Sequence, residues 1–139
     1  LTDASITAVA ESCLNLTELA LQDCPKLTVT SIAAVAENCR NLTRLYIESC
    51  GFAALPENIG KLPKLVGLIA QDNMFKVLPR SIVELDEWCF LQVENNPLEI
   101  PPIEVAQRGI PAIRQYFLED ELEDAKTSCA KVGSRVDGA

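Results

Sequence analysis

Four stretches of the chain share one pattern of apolar and polar positions: LTELALQDC (Leu16 to Cys24), LTRLYIESC (Leu42 to Cys50), LVGLIAQDN (Leu65 to Asn73) and WCFLQVENN (Trp88 to Asn96). In each, the first, fourth and sixth places are apolar, and the ninth is Asn or Cys. The fourth and sixth places are two apart, the spacing of side chains on one face of a strand. Each stretch is therefore predicted to form a short strand with its first, fourth and sixth side chains inward, Trp88 included. The stretches follow at steps of 26, 23 and 23 residues (16 to 42 to 65 to 88). A period in that range marks a stack of repeating units, each burying its apolar face against its neighbours.

Between the strands the pattern changes. SITAVAES, within residues 1–12, places Ile6, Val9 and Ala10 at i, i+3 and i+4, one face of a short helix. Asp3 or Ser5 is the expected cap of its first turn. LTVTSIAAVAEN repeats the design with Ile32, Val35 and Ala36. The later links, GFAALPENIGKL and MFKVLPRSIVEL, instead carry Leu55-Pro56 and Leu78-Pro79. Proline fixes φ and removes a donor, so these links are predicted to be extended, with a single helical or 3₁₀ turn. Pro97, Pro101 and Pro102 are expected to end regular pairing. IEVAQRG then makes a short helical turn closed by Gly109, and Pro111 suits the first turn of a final helix, IPAIRQYFLEDELED. Its Ile113, Tyr116 and Phe117 share one face, which is expected to cover the otherwise open last unit.

The pattern L-x-x-L-x-L-x-x-N/C, fitted four times, resembles the leucine-rich repeat family over roughly residues 1 to 118. The resemblance implies an α/β fold: a right-handed solenoid with a parallel sheet on its concave face, short helices and extended turns on its convex face, and a helical C-terminal cap. It divides the chain into a partial repeat 1–12, repeats 13–38, 39–61, 62–84 and 85–100, a cap over 101–124, and a tail over 125–139 expected to be disordered. The unit that begins with Cys13 resembles the cysteine-containing repeats of F-box proteins. The units with Leu-Pro resemble the repeats of Ras-pathway scaffolds and plant immune receptors. NPLEIPPIEVAQRGIPAIRQYF is similar to the closing segment of the repeat domains of Roco-type GTPases and Ras-pathway scaffolds. Mixed repeat types leave a fusion of two natural arrays open. In the tail, Gly133 to Gly138 match the G-x-x-x-x-G of a phosphate-binding loop, but Ala139 stands where its Lys is required.

Composition narrows the chemistry. A net charge of −8, from 12 basic and 20 acidic residues, repels phosphate backbones and anionic lipid. The expected partner is therefore a protein with a basic patch, not nucleic acid or a membrane. No run approaches the ~20 apolar residues of a membrane span. Repeat register accounts for four of the six cysteines: Cys13 and Cys39 hold a place taken later by Leu62 and Leu85, and Cys24 and Cys50 hold the ninth place, taken later by Asn73 and Asn96. Cysteines that interchange with Leu and Asn read as interior packing residues, and reduced thiols fit a cytoplasmic chain. The chain has no His and no Cys-x-x-Cys pair, so neither a metal site, a cofactor site nor a catalytic residue is assigned, and the chain is not expected to be an enzyme. Its first residue is not Met and falls inside a repeat. It is expected to be a fragment of a longer protein, monomeric unless its uncapped edge over 13–24 self-associates.

Side chains between the inward places face outward on the concave surface. In register they form four columns: Glu18, Arg44, Gly67, Phe90; Ala20, Tyr46, Ile69, Gln92; Gln22, Glu48, Gln71, Glu94; and Asp23, Ser49, Asp72, Asn95. Tyr46, Ile69 and Phe90 fall together as an apolar centre bordered by Glu48, Asp72 and Glu94. An aromatic centre with a charged rim suits a protein contact. The expected partner-binding residues are Arg44, Tyr46, Glu48, Ile69, Gln71, Asp72, Phe90, Gln92 and Glu94, with Arg44 either a contact or a partner for Glu18. Asn73 and Asn96 are expected to bond backbone instead. The function implied is a non-catalytic interaction module of a cytoplasmic signalling or scaffold protein. The alternatives are substrate recruitment for an F-box ubiquitin ligase and regulation of a Roco-type GTPase.

Overall fold

The computed structural model describes the backbone of residues 1–137 and the side chains of residues 1–126. Each repeated stretch yields one short strand: β1 (Glu18–Ala20), β2 (Arg44–Tyr46), β3 (Gly67–Ile69) and β4 (Phe90–Gln92). They form a mixed α/β fold around one parallel sheet in the order β1-β2-β3-β4. Glu18, Arg44, Gly67 and Phe90 lie level, as do Leu19, Leu45, Leu68 and Leu91. Leu45, Leu68 and Leu91, with Ile47, Ala70 and Val93 two residues on, fill a continuous core. Ladder bonds continue past the strands, from the Asp23, Ser49 and Asp72 amides to the carbonyls of Glu48, Gln71 and Glu94.

Parallel neighbours need crossovers, and their length decides their form. The longer first link holds α2 (Val29–Asn38), whose Ile32, Val35 and Ala36 are buried and whose Thr28 caps the Thr30 amide. The Leu-Pro links hold only 3₁₀ turns, Ile59–Lys61 and Arg80–Glu84. These elements stack beside one another from α1 (Asp3–Ser12) through α2 to the two turns. The turns touch backbone to backbone at Gly60, where a Cβ would lie 1.8 Å from the Ser81 carbonyl oxygen.

At α1 the structure departs from expectation. Thr2 is the cap: its hydroxyl accepts from the Ser5 amide at 3.3 Å, and the Ser5 hydroxyl accepts from the Thr2 amide at 2.9 Å. Asp3 instead bridges to the next unit, accepting from the Thr28 hydroxyl at 2.6 Å and its amide at 2.8 Å. Those bonds stabilise the carboxylate and hold Asp3 below its ordinary pKa. Ile6 and Ala10 are buried, but Val9 is exposed, because no described element lies beyond α1 to cover it.

Trp88 departs further. Expected inward, it is 85% exposed, and Cys89 beside it is buried in its stead. The Asp86 carboxylate accepts from the Trp88 amide at 2.8 Å, and the Asp86 carbonyl from the Cys89 amide at 2.9 Å. That turn admits the small thiol, where an indole would overfill a close-packed interior.

The ninth and eighth places shape the turns out of the strands. Asn73 is buried; its Oδ1 accepts from the Cys50 and Phe52 amides, each at 3.1 Å. Its Nδ2 donates to the carbonyls of Ile47, Ala70 and Gln71. Asn96 repeats the arrangement towards Phe75. Just before these places, Asp23, Ser49, Asp72 and Asn95 all have φ between 54° and 59°. Among residues with a side chain, Asp and Asn tolerate that left-handed region best.

At the C-terminal end, pairing does not stop where the prolines were expected to end it. Val77 and Ile100 form a parallel bridge, with the Leu78 amide donating to the Ile100 carbonyl at 2.9 Å. Proline removes only the donor, so the carbonyl before it still accepts. After α3 (Ile103–Ala106), α4 (Ile110–Asp137) buries Ile110, Ile113 and Phe117. Arg80 lies 5.0 Å from the Phe117 ring centroid and pairs with Asp120 and Glu121. The helix runs beyond residue 124 to Asp137, into the segment expected to be a disordered tail. Residues 121–132 (ELEDAKTSCAKV) contain no Pro or Gly to end it.

Candidate binding surface

Alternation along the strands turns the third and fifth places away from the core, and register sets them side by side. Level with one another stand Glu18, Arg44, Gly67 and Phe90, and in the next column Ala20, Tyr46, Ile69 and Gln92. The structure thus brings Tyr46, Ile69 and Phe90 together as expected, with Phe90 61% exposed. Arg44 resolves as a partner of Glu18, at 2.8 Å. Gly67 contributes no side chain, and a Cβ there would meet only Arg44 Cγ, at 3.8 Å. The result is an open hollow of ≈ 340 Å³ lined by Arg44, Tyr46, Val66, Gly67, Ile69 and Phe90.

Val66, absent from the expected set, lines the hollow, and Trp88, also absent from it, stands exposed two residues before Phe90. Val66 was legible: it stands where the other units have Thr17, Thr43 and Cys89. Trp88 was not, because its place in the pattern assigned it to the interior. Beyond Ile69 the surface becomes polar. Gln71 Nε2 donates to Glu48 Oε2 at 3.2 Å. Glu94 Oε2 is enclosed with no hydrogen-bond partner among the described residues. Asp72 accepts from Asn95 Nδ2 at 2.8 Å, and its left-handed backbone gives it a part in the turn besides its place on the rim.

The thiols divide by position. Cys39 and Cys50 are buried, and burial raises both pKa values. Burial, with the Asp86 charge, pushes Cys89 up to about 11. Raised thiols are poor nucleophiles at neutral pH. Cys24, expected in the interior, is only half-buried, and Cys13 is exposed, because β1 and α1 have a described neighbour on one side alone. Among the described residues, no three His, Cys, Asp or Glu side chains are placed to hold a metal ion, and no helix is long and apolar enough to cross a membrane. The Gly133–Gly138 spacing runs outside the described residues.

No protein-family model matches the chain. Over 77 residues it is 35% identical to the plant intracellular Ras-group-related LRR protein 4 of Oryza sativa subsp. japonica. The chain is similar to part of a leucine-rich repeat protein. The match covers 55% of this chain but 13% of that relative, so the chain spans a small part of the length of the protein it resembles.

Proposed function

We propose that the chain is a segment of a leucine-rich repeat solenoid, acting as a non-catalytic protein-recognition module of a cytoplasmic signalling or scaffold protein. The outward face of the sheet is its concave contact surface. One observation carries this reading: Tyr46, Ile69 and Phe90, from three successive strands, meet on that face around a hollow instead of being buried. Single exposed apolar residues are ordinary, but a contiguous group with a polar rim is the composition of an interface. The surplus of acid favours a basic partner surface and disfavours nucleic acid and anionic membranes. The non-catalytic reading rests on the lack of His as a general base and on the raised pKa values of Cys39, Cys50 and Cys89.

The relative's printed name favours a Ras-group-related repeat protein. The alternatives are F-box substrate recruitment, suggested by the cysteine-type units over residues 1–50, and regulation of a Roco-type GTPase, suggested by the closing segment. Affinity capture with matched variants tests the recognition reading. A partner held by the unaltered chain and by Lys61→Glu, on the far side, should be lost from Tyr46→Ala/Phe90→Ala, with the unfolding midpoint little changed. Equal capture by all three would place recognition elsewhere.

A further inference from the structure

The geometry points to a specificity pocket at Gly67: the hollow takes one branched or aromatic side chain from an extended, basic partner segment, whose Lys or Arg four positions along reaches Glu48 and Glu94. This inference rests on the outward face being the partner surface. The pocket exists because its column runs Glu18, Arg44, Gly67, Phe90, and only the glycine leaves a gap between large neighbours. Tyr46 and Ile69 bound the gap along the strands, and Val66 lines its other end. Its ≈ 340 Å³ lies at the lower end of the about 300–1,000 Å³ typical of ligand sites. That suits one large side chain better than a helix.

Charge sets the rest of the segment. Arg44 is already paired with Glu18, so the wall of the hollow does not call for an anion. Glu48, Gln71 and Glu94 lie four residues beyond Arg44, Gly67 and Phe90, about 13 Å along the strands. In an extended segment laid along them, residues i and i+4 face the same way at that spacing. An apolar residue in the hollow therefore carries its fourth neighbour over the carboxylates. In that column Gln71 Nε2 is bonded to Glu48, and Glu94 Oε2 is enclosed without a donor among the described residues. An enclosed carboxylate oxygen without a donor is costly, and an ammonium or guanidinium arriving on this column draws the Glu94 side chain out to a charge-assisted partner. A second copy of this chain fits badly, because it would set one acidic rim against another.

The probe is a phage-displayed library of random dodecapeptides, selected on the intact chain and counter-selected on Tyr46→Ala/Phe90→Ala. Selected peptides should share an apolar residue followed at the fourth position by Lys or Arg. Measured by fluorescence anisotropy, Gly67→Leu should weaken them about tenfold or more, as expected for filling a central pocket. Gly67→Val serves the same purpose with a β-branched residue that strands favour. Glu94→Gln should weaken binding severalfold and flatten its dependence on salt between about 50 and 300 mM. Two results would overturn the pocket while leaving the recognition reading intact: peptides that need Tyr46 and Phe90 yet show no apolar-x-x-x-basic spacing, or peptides that bind the Gly67 variants and Glu94→Gln undiminished. Failure to obtain any peptide dependent on Tyr46 and Phe90 would overturn both.

Discussion

Replacing Asn73 by Ala removes the side chain that ties the second and third units together where their strands turn. Asn73 Oδ1 is the acceptor for two backbone amides, those of Cys50 and Phe52, both on buried residues. A buried donor left without a partner costs about 1–3 kcal/mol. Two of them put the loss at about 4 kcal/mol. The carbonyls of Ile47, Ala70 and Gln71 lose a donor as well, but carbonyls tolerate this more readily than amides do. At this chain length the change corresponds to a fall in unfolding midpoint of about 12–16 °C. Asn96→Ala supplies the internal comparison: its Oδ1 holds only the Phe75 amide and its site is half-buried, so water can replace part of what is lost. Its expected cost is about 1–2 kcal/mol. Urea unfolding followed by far-ultraviolet circular dichroism, with slopes compared between variants, measures both. A loss below about 1 kcal/mol for Asn73→Ala, or a larger loss for Asn96→Ala, would refute the accounting of orphaned amides.

Gly60→Ala should cost at least about 3 kcal/mol or prevent folding, since its Cβ would meet backbone, the Ser81 carbonyl, at 1.8 Å; a stable variant in urea titration would contradict that close approach. Alkylation by iodoacetamide at about pH 8, mapped by peptide mass spectrometry, should reach Cys13 before Cys39, Cys50 and Cys89, which are spared until urea is added. Prompt native labelling of Cys89 would contradict its burial. Ile113→Asp with Phe117→Asp should drive aggregation, seen by light scattering, by placing two charges where α4 meets the core; a soluble variant of unchanged midpoint would remove the helix's covering role.

Much of this architecture was legible in the residues because it depends on local spacing. Four places that recur at fixed steps specify one strand each, and equal spacing within each stretch specifies which side chains lie level. The columns holding Tyr46, Ile69 and Phe90 follow from that alone, as do the backbone bonds of Asn73 and Asn96. The form of the links was legible too, since Pro56 and Pro79 remove the donors that a longer helix needs.

What the spacing did not decide depended on neighbours in space. Trp88 fits the apolar pattern as well as Leu16, Leu42 or Leu65, but the interior had room for only one residue at that corner, and Cys89 is the smaller. Val9 and Cys13 repeat the design of Val35 and Cys39 yet stay exposed, because burial comes from the unit packed alongside. The hollow at Gly67 likewise belongs to no single strand: Arg44 and Phe90 on either side make an absent side chain into a site. Periodicity along the chain determines which way each residue faces, whereas tertiary packing decides what stands opposite it, and both burial and recognition are set by the second.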